Sequence, residues 1–247
     1  MIDTILFDLD GTLLRFSQKE FIRLYISEIS KVFVRMGMDA EKSVKALWAG
    51  TKSMVENDGS VPNKERFWST FANTLGLAGE QAKAVEAACD SFYSNEFNVV
   101  KAVVDQSEIP SRLIQKLVCK GYTLVLATNP MFPACGVESR LAWGGLDPRD
   151  FILITHYANS SYCKPNQGYY NEIFTKIDKK PEQCIMIGNN PAEDMAADRL
   201  GAEVFLVTDY MENEAGADIS AYRQGTLAQL EEKLISLPDK AFAPLAL

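Results

Sequence analysis

The chain has 247 residues, 47% of them hydrophobic and 23% charged, with a formal net charge of −8. That length can bury a sizeable core, and the acidic balance excludes a nucleic-acid binder that works by broad phosphate neutralisation, though not a small phosphorylated ligand in a locally positive pocket. No apolar stretch is long enough to span a bilayer, and no basic region, apolar segment and small-residue cleavage site open the chain, so a cytoplasmic protein with no membrane partner is expected.

The first element is "ILFDLDGTLL" (5–14), an apolar strand-like run that ends in Asp8 and Asp10 with Gly11 directly behind. Buried carboxylates are costly unless paired or bound to metal, so the pair marks a site. Residues 16–103 then carry apolar side chains at helical spacing. The first helix is marked by Phe21, Leu24, Tyr25, Ile29, Val32, Phe33 and Met36, the second by Val44, Leu47, Trp48, Thr51 and Val55. Phe67, Phe71 and Leu75 mark a third, and Val85, Cys89, Phe92, Tyr93 and Phe97 a fourth. Their aromatic stripes are expected to form a core of their own, and "ENDGSVPN" (56–63) is a turn-rich break between the second and third helices.

Beyond the insert, strand-like and helical segments alternate. A helix over 107–120 starts at Ser107 with a proline in its first turn and stops at Gly121. The strand-like runs are "YTLVLAT" (122–128), "FILITH" (151–156), "CIMIG" (184–188) and "EVFLVT" (203–208), with helices predicted over 166–177 and 192–200. Short runs rich in Ile, Leu and Val suit a parallel sheet covered on both faces. The alternation predicts an α/β fold, a doubly wound parallel sheet, with an all-helical domain inserted after the first strand. The five cysteines are scattered without a CxxC pair and read as reduced core residues. The single histidine, His156, reads as a structural strand-end residue, because no nucleophile motif accompanies it.

In such a sheet, ligands bind beyond the carboxyl ends of the strands. The polar residues that follow the runs are Asp8 and Asp10, then Thr128 and Asn129, then Lys164 in "CKPN", then "GNNPAEDMAAD" (188–198) with Asn189, Asn190, Glu193, Asp194 and Asp198. A hydroxyl, an amine and several carboxyl or amide groups converging on two aspartates suit phosphoryl transfer through a carboxylate. An EF-hand loop also begins DxD, but needs glycine at its sixth position, and here Gly11 stands at the fourth.

"DLDGTL", "ATN", "KP" and "GNNPAED" resemble the four ordered motifs of the haloacid dehalogenase superfamily, and the resemblance spans essentially the whole chain. It implies a Rossmann-like catalytic core over 1–15 and 104–247 and a helical cap over 16–103. The implied activity is an Mg²⁺-dependent phosphatase acting on a small phosphorylated metabolite. By the same resemblance Asp8 is the nucleophile, Asp10 the general acid and base, Thr128 and Asn129 phosphate ligands, and Lys164 the counter-charge. Asp8, Asp10, Asn189 and Asp194 are the implied metal set. Asp10 favours phosphate esters, since dehalogenases and phosphonatases of the family need no acid there. Asn189 departs from the pattern, which places an aspartate after that glycine; an amide keeps the oxygen and loses the charge. A protein of this fold with weakened catalysis and a binding role, and a sugar phosphomutase, are the alternatives. Glu193 is a partial substitute for the lost charge, and Asp198 is expected behind the site or at the surface. Trp48, Lys52 and Arg66 are the insert side chains considered for substrate contact.

Overall fold

The computed structural model describes residues 2–240, so residue 1 and residues 241–247 of the expected core lie outside the described residues. Six strands, β1 (Thr4–Phe7), β2 (Thr123–Leu126), β3 (Leu153–Ile154), β4 (Cys184–Gly188), β5 (Glu203–Val207) and β6 (Gln224–Gly225), form one sheet in the order β3-β2-β1-β4-β5-β6. Every pairing is parallel. Alternate residues of a strand face opposite sides. Ile5, Phe7, Leu124 and Leu126 accordingly pack against α5 (Ile109–Cys119), α6 (Ala134–Trp143) and α8 (Leu227–Ile235). Leu6, Val125 and Met186 pack against α7 (Gln167–Lys176) and a 3₁₀ turn over Asp194–Leu200. Each fully buried Leu, Ile or Phe contributes about 1.5–3 kcal/mol, so the two apolar faces supply most of what holds the sheet between its helices.

Two strand expectations need correction. "FILITH" gives only two strand residues, because Ile152 is 62% exposed at the sheet edge and Thr155 turns its hydroxyl onto Thr128 O at 2.6 Å. β6 was not foreseen: Gln224 and Gly225 carry no apolar pattern and pair with β5 through backbone alone.

Between β1 and β2 lie α1 (Gln18–Arg35), α2 (Ala40–Val55), α3 (Asn63–Leu75) and α4 (Gly79–Ser94). Phe97 falls not in the fourth helix but in a 3₁₀ segment over Glu96–Val103, where it still stacks into the insert's aromatic core beside Tyr25 and Tyr93. The buried face of α2 also differs from the expected one. Ser43, Ala46, Leu47, Gly50 and Met54 are buried, whereas Trp48 and Val55 are 44% and 43% exposed. Small residues decide this: a Cβ on Gly50 would lie 2.7 Å from the Phe67 ring, so α2 and α3 approach through a seam of small side chains. The turn at 56–63 is more than a break. Asn57 and Asn63 are buried, Asn63 N donates to Ser160 O (2.9 Å), and Lys64 N donates to Tyr157 O (2.8 Å), tying the insert to the loop after β3.

The helix predicted over 192–200 is the 3₁₀ turn Asp194–Leu200, closed by Gly201 at φ 95°. Tyr170 Oη donates to Glu193 O (2.8 Å) and Asp194 O (3.3 Å), carbonyls that an α-helix would need for its first turn.

Candidate active site

Register brings the site together. Phe7 pairs with Leu126 on one side and Ile187 on the other, so β1, β2 and β4 end level and the residues after them meet. The strand order reverses between β1 and β4, where a doubly wound sheet opens its crevice. A cleft of about 120 Å³ lies there, walled by Asp8, Asp10, Thr128, Asn129, Asn189, Asn190, Glu193, Asp194 and Glu212 among others.

Lys164, 2% exposed, is its electrostatic centre: Nζ donates to Asp8 Oδ1 (2.8 Å) and to Asp194 Oδ1 (2.6 Å). Burial works to lower the lysine's pKa, yet Asp194 and Asp8 hold it well above its ordinary value. Burial likewise pushes the Asp8 carboxyl above the usual carboxylate range against the pull of Lys164. Asp194 Oδ2 accepts from Asn190 N (2.9 Å), so both its oxygens are engaged within the protein. Asp194 thus holds the lysine in place on the wall of the cleft that Asn189 and Asn190 also line. Its neighbour Asp198 lines a surface cavity elsewhere, with Gly201, Glu203 and Arg223.

Two glycines permit this crowding. Gly11 adopts φ 78° behind the aspartates, and a Cβ there would collide with the Asn189 amide. A Cβ on Gly188 would collide with the Asp194 carboxyl. Gly188→Ala is thus expected to destabilise the fold by about 2 kcal/mol through overpacking, read as a lower midpoint in denaturant with unchanged slope.

Asn129 bridges the cleft, its Nδ2 donating to Glu193 Oε2 (2.9 Å) and its Oδ1 accepting from Lys164 N (3.2 Å). Thr128 is buried, its carbonyl held by Thr155 Oγ1 (2.6 Å) and Tyr169 Oη (2.9 Å). Of the three insert side chains, Trp48 lines a cavity beside the cleft. Lys52 pairs with Glu56 (3.6 Å) and Arg66 with Asp58 (2.5 Å).

Two site residues escaped the sequence reading. Arg140 on α6 is fully buried, pairs through Nη1 with Asp10 Oδ2, and lies 4.3 Å over the Phe132 ring. It takes one Asp10 oxygen and leaves Oδ1 buried without a partner. Burial pushes the Asp10 carboxyl up, with Arg140 opposing. Arg140 falls on the same helical face as the buried Gly136, Val137 and Leu141, a signal present in the α6 pattern. Glu212 lines the cleft from an irregular loop that no periodicity marks, anchored by its N–H donating to Asn189 O (3.0 Å). Burial, with Glu193 and Asp10 near, pushes its carboxyl up to about 7.

Among the described residues no three His, Cys, Asp or Glu side chains cluster as a self-sufficient metal site. Asp8 Oδ2 and Asn189 Oδ1 both lie 3.3 Å from the Thr12 hydroxyl, which shares its one proton between them, so a carboxylate and an amide oxygen stand side by side where β1 and β4 end. That donor set fits Mg²⁺, which keeps several waters and commonly takes one or two carboxylates plus substrate phosphate.

A family model described as haloacid dehalogenase-like hydrolase matches residues 2–201. Curated proteins give no match. Among solved structures the fold is similar to a 2-haloacid dehalogenase from Pseudomonas syringae pv. Tomato DC3000, with a TM-score of 0.62 and 18% identity over 95% of this chain and 98% of that one. It is similar to a HAD phosphatase from Thermococcus onnurineus, with a TM-score of 0.58 and 16% identity over 97% and 100%. It is also similar to a magnesium-bound HAD-hydrolase, YfnB, from Bacillus subtilis, with a TM-score of 0.54 and 17% identity over 94% and 98%. At these identities the likeness is one of fold.

Proposed function

The chain belongs to the haloacid dehalogenase-like hydrolases, and from that premise we propose that it is a phosphatase that hydrolyses a small phosphorylated metabolite through an aspartyl-phosphate. The observation that carries this reading is the pairing of Asp8, held by Lys164, with a second carboxyl, Asp10, in the same cleft. A dehalogenase needs a nucleophile but no proton shuttle.

The Asp8 carboxylate attacks phosphorus, the bond to the ester oxygen breaks, and that oxygen takes its proton from Asp10. Arg140 holds Asp10 by Oδ2 and so fixes the orientation of its carboxyl at the cleft. Water then attacks the same phosphorus, gives its proton to Asp10, and the phosphorus–Asp8 bond breaks to release inorganic phosphate. General acid–base help of this kind contributes roughly 10²–10⁴-fold. Lys164 offsets charge on the Asp8–phosphoryl unit, and Thr128 and Asn129 orient its oxygens. Asp8 and Asn189, with Asp10 and Asp194 in the same cleft, would hold Mg²⁺, which when bound would neutralise charge between nucleophile and phosphate. The helical insert over 16–103 serves as cap to the core over 1–15 and 104–247. The cysteines among the described residues are all free, in keeping with a reducing, cytoplasmic setting. No helix among the described residues is long and apolar enough to cross a membrane.

Phosphate release from a panel of monoesters in Mg²⁺, set against halide release from 2-haloacids, tests the reading. Phosphate without halide is expected; halide alone overturns it. Asn189 favours a second reading, a site whose catalysis is weakened by a missing charge. Asn189→Asp is expected to tighten Mg²⁺ binding about tenfold by calorimetry, because affinity follows ligand charge. A parallel sharp rise in turnover supports the weakened site, and unchanged turnover supports a site that already works.

A further inference from the structure

The insert encloses a second cavity of about 110 Å³ that shares Gln18, Met131 and Phe132 with the carboxylate cleft. Its walls are largely aromatic: Phe21, Tyr25, Trp68, Phe71 and Tyr93 face it, with Phe132 between it and the site. Phe132 itself is one side chain from the chemistry, since its ring carries the Arg140 guanidinium that grips Asp10. We infer that this cavity receives the leaving group of the substrate, and that the leaving group is an uncharged apolar ring or short hydrocarbon chain rather than a sugar or a second phosphate. The inference rests on the phosphatase reading above and names the class of ester that the site takes.

Three observations on the cavity support this class. The first is charge. No lysine or arginine lines it, and its one carboxyl, Asp90, repels a second phosphate or a carboxylate. The two cations nearest its walls are both paired with carboxylates: Arg140, 4.3 Å over the Phe132 ring, with Asp10, and Lys64, 5.9 Å from the Tyr157 ring, with Glu86 at 2.7 Å. The second is hydrogen bonding. One of the Tyr25 and Tyr93 hydroxyls donates to the other at 2.6 Å, which leaves a single O–H between them, and Thr51 donates to Leu47 O at 3.0 Å. Trp68 Nε1 is buried without a partner, and beside it Gln18, Asp90 and Tyr157 offer further polar side chains to a ligand in a wall that is otherwise mainly apolar. A polyol would bury several hydroxyls unpaired, at about 1–3 kcal/mol each. The third is size. An apolar cavity of about 150 Å³ admits benzene, and at about 110 Å³ this one is smaller, so it takes a few methylenes or part of a ring that reaches in from the cleft and not a sugar bisphosphate.

The test compares kcat/KM for phosphate release from benzyl phosphate, glucose 6-phosphate and fructose 1,6-bisphosphate. A preference for benzyl phosphate of about 100-fold is expected, from two or more unpaired hydroxyls in the sugars. Equal values, or a preference for either sugar ester, overturn the inference and leave the phosphatase reading standing. If no ester is hydrolysed, the phosphatase reading falls, and toluene decides the cavity separately. Saturable binding, read as a rise in melting temperature and a change in tryptophan fluorescence, supports an apolar ligand, and absence of binding overturns it.

Discussion

Asp8→Asn is expected to lower phosphate release by about 10⁴-fold or more, with the fold intact. Removal of a covalent nucleophile commonly costs about 10⁴–10⁶-fold, because what remains is binding and electrostatic help without a bond-forming group. The asparagine keeps the volume of the side chain in a buried position, so packing at the end of β1 is undisturbed. Lys164 is not orphaned by the change, since Asp194 still accepts its ammonium at 2.6 Å. Circular dichroism and a denaturant midpoint close to wild type, together with lost turnover, separate chemistry from folding. Turnover within tenfold of wild type removes Asp8 from the reaction.

The second large effect falls on stability. Arg140→Met is expected to cost about 3 kcal/mol, because it leaves the Asp10 carboxylate in the interior without its guanidinium partner. The cation–π contact with Phe132 goes with it. For a chain of this size the loss lowers the melting temperature by about 10 °C. Adding Asp10→Asn to Arg140→Met removes the uncompensated charge, so the double variant recovers part of the loss. A double variant as unstable as the sum of the single ones contradicts the pairing as the source of the energy.

Much of the site is legible in the sequence because each motif is local. Asp8 and Asp10 follow an apolar run, and Lys164 and Asp194 sit at fixed places after later runs; the level ends of β1, β2 and β4 then bring them together. What the sequence hides is pairing across distance. Arg140 stands on an apolar helix face, where a charge reads as an interruption until Asp10, 130 residues earlier, is known to meet it. Glu212 lies in an irregular loop, brought to the cleft by its own N–H donating to Asn189 O and by Asn189 Nδ2 donating to Tyr210 O. The fold behaves the same way. The strongly apolar strands are readable, whereas β6 is held by backbone pairing that leaves no side-chain pattern. Trp48 misled because its helical spacing suggested a core position, while Gly50 and Ala46 set the packing face of α2.

The central claim is that phosphate passes through Asp8, and mass spectrometry of the acid-quenched enzyme during turnover tests it most directly. A phosphoryl adduct on the peptide that contains Asp8, absent from Asp8→Asn, is the predicted result. Phosphate release by Asp8→Asn at the wild-type rate would contradict it.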